Sequence, residues 1–291
     1  MGLLERSWGS GGYSGVVSDA PIGMFDSGFG GLTVARAVID LLPGENLVYL
    51  GDTARYPYGA RGQDEVGEFA AEIAEYLLRQ FDVKYVVIAC NTATAAALQR
   101  LKDELPIPVM GVIKAGVNSL LAASREGRVG VIGTVGTVES GAYQRAIAEV
   151  DPSAHVTACA CPGFVEFVER GITSGREVEL LADRLLAPIR EAGVDALLLG
   201  CTHYPYLARV ISRVLAVGHD PSRLPVVLVS SADECAFALA DDLAERNLLR
   251  RGRNSKGSHR FVSSGDVRSF TDIGSRLFGP ELIGAERWPR E

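Results

Sequence analysis

The sequence reads Val83-Lys-Tyr-Val-Val-Ile-Ala-Cys90-Asn-Thr92, and further along it reads Val194-Asp-Ala-Leu-Leu-Leu-Gly-Cys201-Thr-His203. Both stretches are short apolar runs that end in a small residue, a cysteine and polar groups, which is typical of strands buried in a parallel sheet. A weaker repeat pairs Ile22-Gly-Met-Phe-Asp26-Ser27 with Val129-Gly-Val-Ile-Gly133-Thr134, at a similar distance before each cysteine. The sequence therefore predicts a duplicated unit that presents one cysteine at a strand end in each copy.

The rest of the chain alternates short aliphatic runs with amphipathic helical stretches such as Val66–Gln80. This alternation predicts an α/β fold with two similar parallel-sheet domains related by a pseudo-twofold duplication. Ligands bind at the carboxyl ends of strands in such sheets, so we expect the site in the cleft between the domains. The predicted strands are Ile22–Phe25, Leu47–Leu50, Val83–Ala89, Val109–Ile113, Val129–Ile132, Val156–Cys159, Val194–Leu199, Val226–Val229 and Arg260–Ser263.

Composition narrows the class of protein. The 291 residues are 47% hydrophobic and 22% charged, the balance of a globular protein with a sizeable core. The net charge of −7 argues against a general binder of nucleic acid or of anionic membranes. No apolar run reaches the roughly 18–20 residues of a membrane span. Residues 1–20 lack an export signal and are expected to be a flexible extension, so a cytoplasmic location with reduced cysteines is predicted.

The glycine-rich loop Asp26-Ser-Gly-Phe-Gly-Gly31 follows a predicted strand and precedes a predicted helix. It lacks the Lys-Ser/Thr ending of a P-loop, and Thr33 replaces the last glycine of the dinucleotide fingerprint. Its backbone N–H groups can bind one carboxylate, while Asp26 can meet an ammonium group or tune a neighbouring base. A tight turn without a ligand is the alternative interpretation.

The paired cysteines indicate the chemistry. Thiolates form at neutral pH near helix N-termini or cations, and Cys90 and Cys201 each precede a predicted helix start. Two thiols on opposite sides of one carbon can remove a proton from one face and deliver one to the other, which inverts the stereocentre. We therefore expect them to be unbridged and to face one another. The other cysteines, Cys159, Cys161 and Cys235, are expected to be packing residues.

Cofactors and metals are not predicted. Cys159-Ala-Cys161 has no second Cys or His pair at zinc-like spacing. Pyridoxal phosphate requires a lysine for its Schiff base, and Lys114, the lysine at a predicted strand end, has no phosphate-binding glycine loop beside it. The sequence therefore predicts an enzyme that works without a cofactor or metal.

At these residues the chain resembles the glutamate racemases, isomerases that supply D-glutamate for peptidoglycan and cell-wall biogenesis without pyridoxal phosphate. The resemblance implies that Cys90 deprotonates D-glutamate and Cys201 deprotonates L-glutamate. It also implies that Asp26 assists the first thiol, and that Glu169 and His203 assist the second. The motifs that carry the resemblance are Phe25-Asp-Ser-Gly-x-Gly-Gly31, Gly51-Asp-Thr-Ala-Arg-Tyr-Pro-Tyr-Gly59, Ala89-Cys-Asn-Thr92 and Gly200-Cys-Thr-His-Tyr-Pro205.

The resemblance further implies substrate contacts and a domain plan. Residues 21–114 with 223–291 would form a discontinuous first domain and residues 115–222 the second. A homodimer is implied, and some members of the family also inhibit DNA gyrase, which the acidic composition of this chain does not indicate. The implied substrate-binding residues are Asp26, Ser27, Tyr58, Gly59, Asn91, Thr92, Thr202 and His203, with Thr134 and Thr137 as weaker candidates.

Two alternatives remain at the level of sequence. The same two-cysteine plan serves racemases of aspartate or hydantoins, although the Gly-Cys-Thr-His203 ending favours glutamate. A two-lobed amino-acid-binding protein without catalysis would need the cleft and the anion-binding loops, but not a thiol at both strand ends.

Overall fold

The computed structural model of the chain describes residues 19–217, 224–251, 256–279 and 281–289. The flexible extension predicted at residues 1–20 lies almost wholly outside these ranges. Within them, no helix combines the length and the apolar character that a membrane span requires.

The chain alternates strands and helices, as the sequence predicted. The strands are β1 Ile22–Asp26, β2 Leu47–Gly51, β3 Tyr85–Ile88, β4 Val109–Gly111, β5 Arg128–Gly133, β6 His155–Ala160, β7 Ala196–Gly200, β8 Val227–Ser230, β9 His259–Ser263 and β10 Glu286–Arg287. The helices are α1 Leu32–Leu41, α2 Gln63–Phe81, α3 Asn91–Glu104, α4 Val112–Ala123, α5 Val135–Glu139, α6 Ala142–Val150, α7 Phe164–Glu169, α8 Arg176–Leu185, α9 Ala187–Glu191, α10 Ala208–Ala216, α11 Ser231–Glu245 and α12 Val267–Phe278.

Two parallel sheets organise these elements. The first has the order β10-β9-β2-β1-β3-β4, and the second has the order β6-β5-β7-β8. The four consecutive strands β2-β1-β3-β4 therefore have the same order as the whole second sheet, with β1 matching β5 and β3 matching β7. This confirms the predicted α/β fold with parallel sheets in two domains, and the shared strand order agrees with the repeat in the sequence.

Hydrophobic residues cover both faces of each sheet. All five residues of β1 and of β7 are buried, as parallel strands between helix layers require. The amphipathic helix predicted at Val66–Gln80 is observed as α2, which buries Ile73, Leu77 and neighbouring apolar residues against the first sheet. Removal of this apolar surface from water is the main source of stability for such a core.

The predicted strands agree with the observed ones to within two residues at each end, and β10 was not predicted. Two of the predicted boundaries place residues in the wrong element or domain. The strand predicted at Val109–Ile113 ends at Gly111, and α4 begins at Val112 because its two branched residues Val112 and Ile113 pack into the cores of both domains. The return to the first domain was predicted at residue 223, which lies outside the described residues. Strand β8 pairs with β7 through Leu199 and Ser230, so the chain up to Ser230 belongs to the second sheet.

Candidate active site

A cavity lies between the two domains, where the carboxyl ends of strands from both sheets meet. The empty space within it, including solvent at its mouth, is about 640 Å³. Residues that follow β1, β2 and β3 form one wall, and residues that follow β5, β6 and β7 form the other. The lining residues are Ser27, Tyr56, Pro57, Tyr58, Gly59, Ala60, Cys90, Asn91, Thr92, Thr134, Val135, Cys161, Pro162, Gly163, Val165, Glu166, Cys201, Thr202, His203 and Tyr204.

Cys90 begins helix α3 on the first wall. Its sulfur accepts a hydrogen bond from the backbone N–H of Ala93 (3.4 Å), and its thiol donates to Oγ of Ser27 (3.6 Å). The side chain is 5% exposed. Burial, with the neighbouring carboxylate of Asp26, raises the pKa of Cys90 to about 12, against the opposing effect of the two hydrogen bonds.

Asp26 lies behind this wall at the end of β1 and is fully buried. Its Oδ2 accepts the backbone N–H of Gly28 (2.8 Å), whereas Oδ1 has no hydrogen-bond partner in the described part of the chain. Burial raises the pKa of Asp26, although the charge of His203 lowers it in part. A carboxyl group with a raised pKa is therefore close enough to Cys90 to interact with it electrostatically, on the side of the cavity where the sequence predicted it.

Cys201 lies on the second wall directly after β7, and a 3₁₀ turn at Tyr204–Leu207 follows it. Its sulfur lies 3.8 Å from Nδ1 of His203, and Nε2 of His203 lies 3.2 Å from Oε1 of Glu169. Burial lowers the pKa of His203, but the hydrogen bonds with Cys201 and Glu169 raise it to about 10 in total. An imidazolium held by a carboxylate can thus exchange a proton with this sulfur.

The two walls touch at glycines. A Cβ atom on Gly30 would lie 2.2 Å from Oγ1 of Thr202 and 2.5 Å from Nδ1 of His203, so only glycine fits there. The backbone N–H of Gly136 donates to the carbonyl of Gly59 (2.9 Å) across the same interface. The two domains are therefore in direct contact beside the cavity.

Three threonine hydroxyls form a cluster at one end of the cavity. Thr92 lies 3.0 Å from Thr134 and 3.1 Å from Thr137, and the last two lie 2.9 Å apart (Oγ1 atoms). Thr92 lies in the first turn of α3, and Thr134 is the N-cap of α5. Helix N-termini with hydroxyls favour anions, so this end of the cavity suits a carboxylate.

Tyr58 is held by a buried network below the first wall. Asp52 accepts hydrogen bonds from the hydroxyl of Tyr58, from Nε of Arg55 (2.6 Å) and from Oγ of Ser264 (2.6 Å). Burial and Asp52 raise the pKa of Tyr58, which therefore keeps its proton. The network fixes the ring in the cavity wall, and Gly59 follows it directly.

The cavity gathers most residues that the sequence predicted. Cys90 and Cys201 are both unbridged and line it together, as expected. The residues that do not line it are Asp26, Glu169 and Thr137, which lie one layer behind Ser27, His203 and Thr134.

Sequence reasoning missed part of the second wall. Cys161 was expected to be a packing residue; it is buried, but it also lines the cavity with Pro162 and Gly163. The sequence could have predicted this part of the wall. These residues follow the predicted strand Val156–Cys159, and the carboxyl end of that strand points to the same cleft. Tyr56 was also missed; its ring centroid lies 6.5 Å from that of His203.

Comparisons with known proteins agree with this geometry. The family model described as Asp/Glu/Hydantoin racemase matches residues 32–234. A glutamate racemase of Parafrankia sp. (strain EAN1pec) is 48% identical over 94% of this chain and 96% of its own length. The crystal structure of a glutamate racemase from Bacillus anthracis has a TM-score of 0.85 and 38% identity, covering 94% of this chain and 98% of its own. That of a Francisella tularensis glutamate racemase, in complex with D-glutamate, has a TM-score of 0.83 and 33% identity, covering 93% and 97%.

Proposed function

This chain belongs to the Asp/Glu/Hydantoin racemase family, and we propose that it interconverts L- and D-glutamate by moving the α-proton between Cys90 and Cys201. Its curated relatives over more than nine tenths of the chain are glutamate racemases, and it is an isomerase of the same kind. The observation that carries the two-thiol proposal is that each domain contributes one thiol, after matching strands, to the wall of one cavity.

The proton transfer balances without a cofactor. With D-glutamate, the Cys90 thiolate takes the α-proton, and the electron pair of the broken C–H bond stays on the α-carbon, delocalised into its carboxylate. The thiol of Cys201 then gives its proton to the opposite face, which forms L-glutamate and leaves a thiolate there. The reverse reaction starts from that state, so one cycle in each direction restores the enzyme.

The side chains behind the thiols adjust their protonation. Burial raises the pKa of Asp26, which interacts electrostatically with Cys90, so its carboxyl group can exchange a proton on that side. His203 with Glu169 has the same role beside Cys201. General acid–base groups of this kind contribute about 10²–10⁴-fold each.

The remaining lining residues hold the substrate. Ser27, Thr92 and Thr202 offer hydroxyls, and the N-terminus of α3 favours a carboxylate. The side-chain oxygen Oδ1 of Asn91 is buried without a partner in the described residues, so it can accept a hydrogen bond from the α-ammonium group. Tyr58 and Gly59 close the cavity from the first domain.

The deciding experiment is an assay without added cofactor. Purified protein should convert either enantiomer of glutamate into the racemate, followed by circular dichroism, and should incorporate solvent deuterium at the α-carbon. Dependence on added pyridoxal phosphate, or activity on aspartate and none on glutamate, would contradict the proposal. Binding of glutamate without exchange would identify the alternative, a non-catalytic binding protein.

The cellular role and the assembly follow from the same family membership as further predictions. We expect the enzyme to supply D-glutamate for peptidoglycan, so its gene should restore growth of a bacterium that requires D-glutamate. A homodimer in solution is expected, and sedimentation velocity measures it. Inhibition of DNA gyrase stays a prediction that a supercoiling assay can test.

A further inference from the structure

Tyr143 is a buried tyrosine that links the two domains beside the first thiol. It lies in α6, and its hydroxyl accepts a hydrogen bond from Nδ2 of Asn91 at 2.6 Å. Both side chains are buried, with 1% of Tyr143 and 3% of Asn91 exposed. Since Asn91 directly follows Cys90, this contact connects the second domain to the residue next to the first thiol.

The ring of Tyr143 also touches the second thiol's strand. A Cβ atom on Gly200 would lie 2.9 Å from Cε2 of Tyr143, so the ring edge lies directly against the backbone of Gly200. Gly200 immediately precedes Cys201. One side chain therefore contacts the neighbours of both thiols, although it lies outside the lining of the cavity.

In the structure, the hydrogen bond with Tyr143 is made by the Nδ2 end of the Asn91 amide. An asparagine presents one acceptor oxygen and two N–H donors, and a rotation of the amide exchanges them. With Nδ2 bound to Tyr143, the acceptor Oδ1 is the atom left without a partner in the described ranges. A buried acceptor without a partner is costly, and Asn91 lines the cavity, so a ligand donor would satisfy it.

We propose that Tyr143 is a positioning residue for amine recognition: it fixes the Asn91 amide so that its carbonyl oxygen meets the α-ammonium group of the substrate. The proposal rests on the proposed function, because glutamate has one donor group, its ammonium, and two carboxylates that only accept. A residue of the second domain would thus help a residue of the first domain to recognise the substrate.

The test variant is Tyr143→Phe, which keeps the ring against Gly200 and removes only the hydroxyl. We expect KM to rise about tenfold for both enantiomers, with kcat within about threefold, because the lost contact is made equally in the ground state and the transition state. The matched control is Tyr206→Phe. It removes another hydroxyl that bridges the domains, to the carbonyl of Leu277 (3.1 Å) and away from the cavity, and should leave both constants unchanged.

A probe without an amine separates positioning from packing. Glutarate has both carboxylates of glutamate and no ammonium, so its inhibition constant should be the same in Tyr143→Phe and in the unmodified enzyme. In an Asn91→Ala background, the Tyr143→Phe change should have almost no further effect on KM, because the group through which it acts is gone.

Each outcome is decisive. An unmodified enzyme that does not racemise glutamate refutes the proposed function, and this proposal with it. An active enzyme whose KM is unchanged by Tyr143→Phe refutes this proposal alone. Equal weakening of glutarate, an additive effect in the Asn91→Ala background, or loss of cooperative thermal unfolding in Tyr143→Phe would assign Tyr143 to packing, which also overturns it.

Discussion

The Cys90 side and the Cys201 side of the cavity occupy equivalent positions in two copies of one topology. Cys90 follows β3 and Cys201 follows β7, each strand standing third in the shared order. The local structures that follow differ, because Cys90 caps the long helix α3 whereas Cys201 enters a 3₁₀ turn. The repeated strands thus determine where the thiols lie, and the residues after them determine what surrounds each one.

The surroundings differ in charge. The first thiol has a buried carboxyl and a hydroxyl near it, and burial with Asp26 raises the pKa of Cys90 to about 12. The second has His203, whose pKa is about 10 because of its hydrogen bonds with Cys201 and Glu169. A carboxyl group with a raised pKa thus lies beside one thiol, and an imidazole with a raised pKa lies beside the other. Symmetric topology with asymmetric chemistry suits a carbon that must be approached from two faces.

The largest expected effect comes from removing either thiol. Cys90→Ser and Cys201→Ser should each lower kcat for racemisation by about 10²–10⁴-fold, because each turnover uses one thiolate and one thiol. Elimination from a β-substituted glutamate analogue needs only one base. Each variant should therefore keep elimination with one enantiomer and lose it with the other.

The control for the thiols is Cys159→Ser, a half-buried cysteine on β6 outside the cavity lining, which should racemise at the normal rate. Near-normal racemisation in both thiol variants would refute the two-base mechanism. Elimination with the same enantiomer in both variants would refute the assignment of one thiol to each face.

The second prediction concerns the contact between the two sides. Gly30→Ala would place a methyl group within 2.5 Å of Thr202 and His203, so the second wall must move away. A misplacement of about 1 Å costs roughly 10²-fold in rate, and we expect that loss in kcat/KM. Gly62→Ala is the control, since nothing lies within 4 Å of its added atom, and it should be fully active. An active Gly30→Ala enzyme would mean that the two sides do not need this contact.

Sequence alone could predict the sheets and the paired thiols because both depend on local patterns. A buried strand such as Val83–Ala89 is visible as an apolar run, and the strand-end rule then brings Cys90, Ser27 and Cys201 to one cleft. The sequence repeat strengthened the prediction of a shared cleft, since two equivalent strand ends are expected to face the same ligand.

Contacts between distant segments could not be predicted in this way. Tyr143 looks like any apolar residue of an amphipathic helix, and only the packing of the two domains brings it to Asn91. Val112 and Ile113 have high strand propensity, yet both are helical. As the first residues of α4, Val112 packs into the core of the first domain and Ile113 into that of the second. Tertiary packing decided each case.

The third prediction tests the charge on the Cys201 side. Glu169→Gln removes a carboxylate that helps to raise the pKa of His203, so the imidazolium should lose its proton at lower pH. We expect the alkaline limb of the kcat/KM profile to move down by about one pH unit, so the rate should be nearly unchanged at pH 8 and should fall by close to tenfold only above about pH 10. Glu177→Gln, which neutralises an exposed carboxylate on α8, should leave the profile unchanged. An unshifted limb in Glu169→Gln would show that His203 does not act through its proton.

The smallest effect concerns stability on the Cys90 side, where two buried aspartates have opposite environments. Asp26 has one oxygen without a partner in the described residues, whereas Asp52 accepts from Tyr58, Arg55 and Ser264. Removing one partner of a buried ion pair costs about 3–5 kcal/mol. Asp52→Asn should therefore lower the thermal midpoint by roughly 10 °C.

Asp26→Asn, in contrast, should raise the thermal midpoint at alkaline pH. Burial raises the pKa of Asp26 above its ordinary value of 3.8, so the folded protein holds this proton after the unfolded chain has released it. The unfolding free energy therefore falls as pH rises from about 4, and a neutral asparagine removes that loss. We expect Asp26→Asn to melt at a higher temperature than the unmodified protein at pH 8 and at the same temperature near pH 4. A lower midpoint at pH 8 would mean that the ionised carboxylate stabilises the fold, and Asp26 could not then be the group that holds a proton beside Cys90.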